Sequence, residues 1–381
     1  MIYFDHSATT FIFKEALDSY VKTSQRIIGN PASLHELGRV ANHLLLKSRG
    51  SIANLLQVNS SEIYFTSGGT EGDNWILKGT AIQRRAFGNH LILSSIEHPA
   101  MVESAKQLES FGFDVDFVPV NKRGFIDLEK LTLMISKETI FVSVMAINNE
   151  IGSVQPIEEI ARILSKEAKI HFHVDAVQAV GKIEKKRYLP ERVDFATFSA
   201  HKFHGPRGVG FIYWKDGKRL APLLTGGGQE RGMRSGTENT PGIVAMAKAL
   251  RLFLEGQEGK IRHLLALKEA LFSSLQSYER IYFFTEITPD FSPHILTFGI
   301  IGVRGEVLVH ALEEKQIFVS TTSACSSRKK ASSWTLNAMK ISSEIAETAI
   351  RISLDESNTM AEVEQFMVIF NQLYKKFRKI F

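Results

Sequence analysis

Ile63-Tyr-Phe-Thr66-Ser-Gly-Gly-Thr70-Glu71 is the stretch that decides the architecture. A short apolar run of strand character meets two glycines, and a helical pattern at 74–85 follows at once. The same unit recurs along the chain. Leu91-Ile-Leu-Ser94 precedes a helical stretch at 101–111, and Val115-Asp-Phe-Val118 follows it. Ile140-Phe-Val-Ser-Val-Met145 precedes another helix at 157–168, and 170–175 returns to strand. Buried strands alternating with helices predict an α/β fold around a mostly parallel sheet. Functional groups then collect beyond the carboxyl ends of the strands.

The pattern changes near Glu255-Gly-Gln-Glu-Gly259. A charged helix at 260–278 follows, then isolated strands at 281–284, 294–298 and 349–354 among helical segments. The expectation is a large domain over 1–255 and a smaller α+β domain over 256–381, with the first ~15 residues packing on the small one. The last helix carries Val363, Phe366, Met367, Phe370, Leu373, Tyr374 and Phe377 on one side, which is the spacing of a core-facing stripe.

Composition narrows the class. Of 381 residues, 44% are hydrophobic and 23% charged, an ordinary soluble balance. The single cysteine, Cys325, excludes a disulfide framework and a cysteine-only zinc site, and it suits a reducing cytoplasm. A net charge of +5 is small for this length and does not argue for direct nucleic-acid binding. No apolar run approaches the ~20 residues of a membrane helix. The start, Met1-Ile-Tyr-Phe-Asp5, lacks the pattern of a signal peptide. A cytoplasmic protein without membrane contact is expected.

Several polar clusters fall where a parallel sheet would place a site. In Ser67-Gly68-Gly69-Thr70 the glycines let backbone amides approach an anion, and the helix start favours negative charge. The segment serves equally as an ordinary strand-to-helix turn. In Ser199-Ala-His201-Lys202-Phe-His-Gly-Pro206 a lysine lies beside hydroxyl and imidazole groups, a setting for a Schiff-base lysine. His171-Phe-His173-Val-Asp175 could align three ligands for a metal. No further ligands stand nearby, and a carboxylate at the strand end suits a protonated ring nitrogen better, with Gln178 in reach of the same ligand. His171 and His173 are then structural. His98, fixed by Pro99, can lie flat over a ring and shuttle protons, and Asn149 is a candidate contact. The loop at 226–238 offers glycines, hydroxyls and arginines, either for an anion or as plain surface. Arg351 is one guanidinium in an apolar strand, suited to a bidentate grip on a carboxylate. Cys325 stands among small, polar and basic residues, where thiolate character rises.

Taken in chain order, these segments resemble the cysteine desulfurases, pyridoxal-phosphate enzymes of the class V aminotransferase type. The resemblance spans nearly the whole chain: Phe4-Asp-His-Ser-Ala-Thr-Thr10, Asn30-Pro-Ala-Ser-Leu-His-Glu-Leu-Gly38, 66–74, Glu97-His-Pro99, 148–157, 173–182, 199–210, 226–239 and 323–327. It implies a fold-type I pyridoxal-phosphate architecture and a homodimer. It also implies conversion of L-cysteine to L-alanine through a persulfide on Cys325, with transfer of the sulfur to an iron–sulfur scaffold or a tRNA- or cofactor-thiolating enzyme. Selenocysteine lyase, or another class V reaction, is the nearest alternative.

By that resemblance Lys202 would carry the cofactor, His98 would stack on its ring and Asp175 would pair with the ring nitrogen. Gln178 and Asn149 would face the phenolic oxygen. Gly69, Thr70, Ser199 and His201 would hold the phosphate, joined by Thr237 from the partner subunit. Arg351, with Asn149, would bind the substrate carboxylate. No resident metal is implied; only Cys325 would meet an iron–sulfur assembly, during transfer. Two positions depart from the pattern. His6 stands where asparagine is common, and Thr322 replaces the glycine of a Gly-Ser-Ala-Cys motif, which stiffens the chain beside Cys325. The run Arg328-Lys329-Lys330 after the cysteine suits an acidic or RNA-bound acceptor surface.

Overall fold

Short runs, buried throughout in six of the seven cases, become the strands of one seven-stranded sheet in a computed structural model that describes residues 1–322 and 333–378. Cys325 and the basic run at 328–330 lie outside the described residues. The strands are β2 (Ile63–Thr66), β3 (His90–Ser94), β4 (Asp114–Val118), β5 (Thr139–Ser143), β6 (His171–Asp175), β7 (Phe195–Ser199) and β8 (Gly210–Trp214), in the order β2-β8-β7-β6-β5-β3-β4. Strands β7, β6, β5, β3 and β4 are parallel; β8 runs antiparallel to both neighbours, β2 and β7. Edge strand β4 exposes Asp114 and Asp116, charges that discourage edge-to-edge pairing.

Both faces of this sheet are covered away from edge strand β4, which is why the other six strands are buried along their whole length. Ile63 and Phe65 of β2 and Ile92 of β3 enter one core, whereas Tyr64, Leu91 and Leu93 enter another, following the two-residue period of a strand. Helices α1 (Lys14–Arg26), α2 (Glu36–Leu56), α6 (Ile157–Ile163) and α7 (Thr240–Leu254) serve the first core; α3 (Gly69–Arg84) and α4 (Pro99–Glu109) serve the second. Helix α5 (Leu128–Met134) packs beside β4.

A four-stranded antiparallel sheet, β12 (Ser320–Thr321), β13 (Ala349–Ser353), β10 (Ile295–Ile300) and β9 (Ile281–Phe283), forms a separate unit. It packs against α8 (Gln257–Gln276), α9 (Gly305–Glu313) and α12 (Met360–Phe377), with α10 (Trp334–Ala338) and α11 (Ser343–Ala346) at one end. Val363, Phe366, Phe370, Leu373, Tyr374 and Phe377 of α12 are buried there. Gly256, at φ +68, separates α7 from α8. Strand β1 (Ile2–Tyr3) pairs in parallel with β11 (Ile317–Phe318), and Ile2 and Phe4 complete the core of this second unit. The chain therefore begins on the smaller unit, in a two-stranded sheet of its own, and only then crosses to the large one.

Candidate active site

A cavity of about 810 Å³ opens at the carboxyl ends of the parallel strands. Ten of the residues singled out above line it: Gly69, Thr70, His98, Asn149, Asp175, Gln178, Ser199, His201, Lys202 and Arg351. They follow the ends of β2, β3, β5, β6 and β7 or sit on β13, so the fold brings together groups that lie up to 282 positions apart (351 − 69) in the sequence. Thr237 is not among them. It is exposed and borders a smaller cavity beside Ser67 and Gly208.

The turn before α3 is built for close backbone approach. Gly68 has φ +152, a conformation that side-chained residues rarely adopt. Gly210, at the start of β8, lies against it; a methyl group there would sit 2.5 Å from the Phe198 carbonyl and 2.8 Å from Gly68 Cα. The amides at the start of the 16-residue α3 thus border the cavity with Thr70, Ser199 and His201 around them, an arrangement suited to an oxyanion. His201 Nδ1 lies 3.2 Å from Thr9 Oγ1. Burial, with the Lys202 and Arg207 charges, lowers the His201 pKa to about 4.

Three buried carboxyl groups share the inner wall. Asp175 ends β6, where its Oδ1 accepts from Val177 N at 2.9 Å. Burial pushes its pKa up to about 6, against the pull of that hydrogen bond and of Lys202. Glu97 Oε1 accepts from Ser94 Oγ (2.8 Å) and Met145 N (2.7 Å). Burial and the Asp175 charge push Glu97 up to about 8. Asp73 of α3 is held well above the usual carboxylate range by burial and by both other acids. Asp73 Oδ1 and Glu97 Oε2 have no hydrogen-bond partner among the described residues.

His98 caps α4, its Nδ1 accepting from Ala100 N at 3.1 Å, which leaves the proton of the neutral ring on Nε2. Burial, and then the Lys202 charge, lowers its pKa to about 4, so the ring is neutral at pH 7. His171 and His173 turn away into the helix-covered core, as expected for structural histidines. His171 Nδ1 meets Thr80 Oγ1 at 3.0 Å, and His173 bridges Ser143 and Thr197 at 2.9 Å each. Among the described residues no cluster of His, Cys, Asp and Glu could hold a metal.

The opposite wall comes from the start of the chain and from β13. Lys202 Nζ donates to the carbonyls of Ser7 (2.6 Å) and Ala8 (2.8 Å). The Gln178 amide donates to the same Ser7 carbonyl at 3.0 Å. Arg351 donates to the Asn149 carbonyl at 2.7 Å and to Asp5 Oδ1 at 2.9 Å. Behind them Lys182 is buried and its pKa lowered to about 8, chiefly by that burial. His6 is also buried, with neither ring nitrogen hydrogen-bonded among the described residues, and burial lowers its pKa to about 4. Glu150, beside Asn149, accepts from Ser333 Oγ, and burial raises its pKa to about 7. Thr322 and Ser333, which flank the segment carrying Cys325, both line the cavity.

Asp5, Asp73 and Glu150 lie within the motif stretches named above, yet the sequence assigns them no role; their partners in the fold reveal them in or beside the site. The loop at 226–238 is better anchored than a plain surface loop. Glu230 is buried, pairs with Arg49 at 2.6 Å and accepts from Phe65 N at 3.0 Å.

Comparison with known proteins agrees with this geometry. The family model described as "Aminotransferase class-V" matches residues 2–366. A "NifS/IcsS protein homolog" of Lactobacillus delbrueckii subsp. bulgaricus is 50% identical over all of this chain and 99% of its own length. "Cysteine desulfurase IscS" of Methanosarcina thermophila is 39% identical over all of this chain and 93% of its own. Among solved structures, a "NIFS-LIKE PROTEIN" superposes with a TM-score of 0.92 at 40% identity, covering 98% of this chain and 99% of that one. A structure titled "SspA in complex with cysteine" superposes with a TM-score of 0.81 at 30% identity, covering 94% of this chain and 100% of that one.

Proposed function

The chain belongs to the class V aminotransferase family and, within it, to the NifS/IscS-like cysteine desulfurases, and we propose that it moves the sulfur of L-cysteine onto Cys325, leaves L-alanine and passes the sulfur to an acceptor. The observation that carries this is the shared cavity: Thr322 and Ser333, on either side of the Cys325 segment, border the same space as Lys202, Asp175 and Arg351. Cys325 is three residues from Thr322, about 10 Å of chain at most.

Class V aminotransferases are generally pyridoxal-phosphate enzymes, and the residues here fit that cofactor. The buried, under-neutralised Asp175 suits a protonated ring nitrogen, and the glycine turn at α3 suits a phosphate. Lys202 would carry the cofactor covalently and His98 would lie on its ring. Asn149 and Gln178 would face the phenolic oxygen, and Gly69, Thr70, Ser199 and His201 the phosphate. Bound there, it supplies an electron sink for the substrate's α-carbon. Arg351 orients the substrate by its carboxylate. Lys202 Nζ moves a proton at the α-carbon, a task for which its place beside the Ser7 and Ala8 carbonyls fixes its direction. Neutral His98 holds a second proton on Nε2. Cys325 Sγ takes the substrate sulfur: an S–S bond forms, the C–S bond breaks, and the carbon keeps the electron pair and is protonated.

Exposed apolar side chains on and before α2 (Leu34, Leu37, Val40, Leu46) and on α1 (Leu17, Val21) support a homodimer, in which Thr237 of the partner subunit would complete the phosphate site. The sulfur acceptor is an iron–sulfur scaffold or a thiolating enzyme, and Cys325 alone meets it. Residues 1–255 would form the cofactor-binding domain and 256–381 the domain carrying the cysteine. Among the described residues no helix is long and apolar enough to cross a membrane, and we assign the chain to the cytoplasm.

The test is alanine release from L-cysteine with a reductant present. Wild type should release alanine, and Cys325→Ser and Lys202→Ala should not. Alanine from Cys325→Ser would remove the persulfide route and favour a lyase.

A further inference from the structure

Asp5 is absent from the residues lining the cavity, yet it touches a group central to it. Its carboxylate lies 2.9 Å from one terminal nitrogen of Arg351, while the other terminal nitrogen is held by the Asn149 carbonyl at 2.7 Å. Two donors are thereby fixed from two sides. One N–H remains on each terminal nitrogen, the number a bidentate grip on a carboxylate requires. The pair is well shielded, with side-chain exposures of 6% for Arg351 and 17% for Asp5.

The backbone around Asp5 is fixed just as firmly. His6 N donates to Ser353 O (3.2 Å), Ser353 N to Phe4 O (2.7 Å), and Ser7 N to Ser353 Oγ (2.8 Å). Asp5 is therefore in register with β13, whose Arg351 lies two residues before Ser353 and so on the same strand face. Two residues past Asp5, the Ser7 carbonyl receives Lys202 Nζ, and the Ala8 carbonyl receives it as well. A two-residue span is about 7 Å of extended chain. An α-amino acid, with its amino and carboxylate groups on one carbon, must meet both ends of such a span together.

We propose that Asp5 is a positioning residue that aims Arg351 at the substrate carboxylate, and that the segment from Asp5 to Ala8 sets the separation between that guanidinium and Lys202. The inference rests on the carboxylate role assigned to Arg351 above.

The test is a binding titration of the cofactor-loaded protein, following cofactor absorbance as L-alanine or ethylamine is added. The two ligands differ by the carboxylate. Asp5→Ala should weaken L-alanine about tenfold while leaving ethylamine within about twofold. Asp5→Asn, which keeps an oxygen acceptor in place, should stay within about threefold of the parent for both. Asp5→Ser serves as a second truncation with the same expectation as alanine. The inference is overturned if truncation leaves L-alanine binding unchanged, tightens it, or weakens both ligands equally, the last being what a merely structural ion pair would do. Arg351→Ala should abolish the preference for L-alanine. If the preference survives in Arg351→Ala, the carboxylate role itself fails and this inference falls with it. If it is lost there but intact in Asp5→Ala, only the inference falls.

Discussion

The two walls of the cavity carry opposite excesses. On the strand-end wall, Asp73, Glu97 and Asp175 crowd together; burial raises all three, and the Asp175 charge raises Asp73 and Glu97 further. On the facing wall, Lys182, Lys202 and Arg351 gather, with His6 and His294 behind; Asp5 pairs with Arg351 and Asp355 acts on Lys182, which leaves the cations in excess. Burial lowers Lys182 and both histidines there. A protein with no ligand to serve would interleave these charges. Segregation leaves an acid side ready for a cationic nitrogen and a basic side ready for a carboxylate. The cofactor's ring nitrogen and the substrate's carboxylate are the two groups that the separation accommodates.

The comparison breaks most sharply at Lys202. Lys202→Ala should lower alanine release by about 10⁴-fold or more, because the covalent attachment and the proton carrier go together. Next in size is the acid wall. Asp175→Ala should lower kcat by about 10²–10³-fold with a smaller change in KM, as expected of a charge that acts on the reacting system. Arg351→Ala, on the basic wall, should instead raise KM by about 10²-fold and move kcat less. Steady-state kinetics of both variants check this pair; matching kcat and KM changes would mean that the walls do not divide the work.

The smallest effect is on stability. Glu97 has a folded pKa of about 8 against an ordinary value of 4.5. The folded chain then binds more protons than the unfolded one between these values, so stability is full below about pH 4.5 and is lost as pH rises toward 8. Glu97→Gln should remove that loss. Its thermal midpoint in the cofactor-free protein should exceed wild type by a few degrees (~3–5 °C) more at pH 8 than at pH 5. Parallel midpoints at both pH values would show that Glu97 does not carry the proton.

Much of this is legible in the sequence, for physical reasons. Parallel strands are buried on both faces, so β3, β5, β6 and β7 stand out as apolar runs, and the polar residues that end them mark the site. His98, Asp175 and Lys202 are visible because each follows such a run. The reversed direction of β8 leaves no signal, since an apolar run reads alike in either direction. Helices α1 and α2 are equally hard to see. Both are amphipathic, but several of their apolar residues (Leu17, Val21, Leu37, Val40, Leu46) face outward, so the apolar side does not mark the core-facing one. Asp5 stands out only as part of a motif, because its partner Arg351 is 346 positions away and nothing local to either residue announces the pairing.

That separation also sets when the site can exist. The segment whose carbonyls receive Lys202 is bonded to Ser353 through Phe4 O, His6 N and Ser7 N, so residues made first wait for residues made nearly last. At about 5–20 residues per second, a ribosome takes on the order of 20–70 s to travel from Ser7 to Ser353. Through that interval the large sheet can form while the wall that carries Asp5, Ser7 and Ala8 lacks its anchor on Ser353. Cofactor capture is therefore expected to follow release of the chain rather than accompany its synthesis. Stalled nascent chains ending before 349 should take up no cofactor absorbance, and uptake by such a chain would refute the dependence.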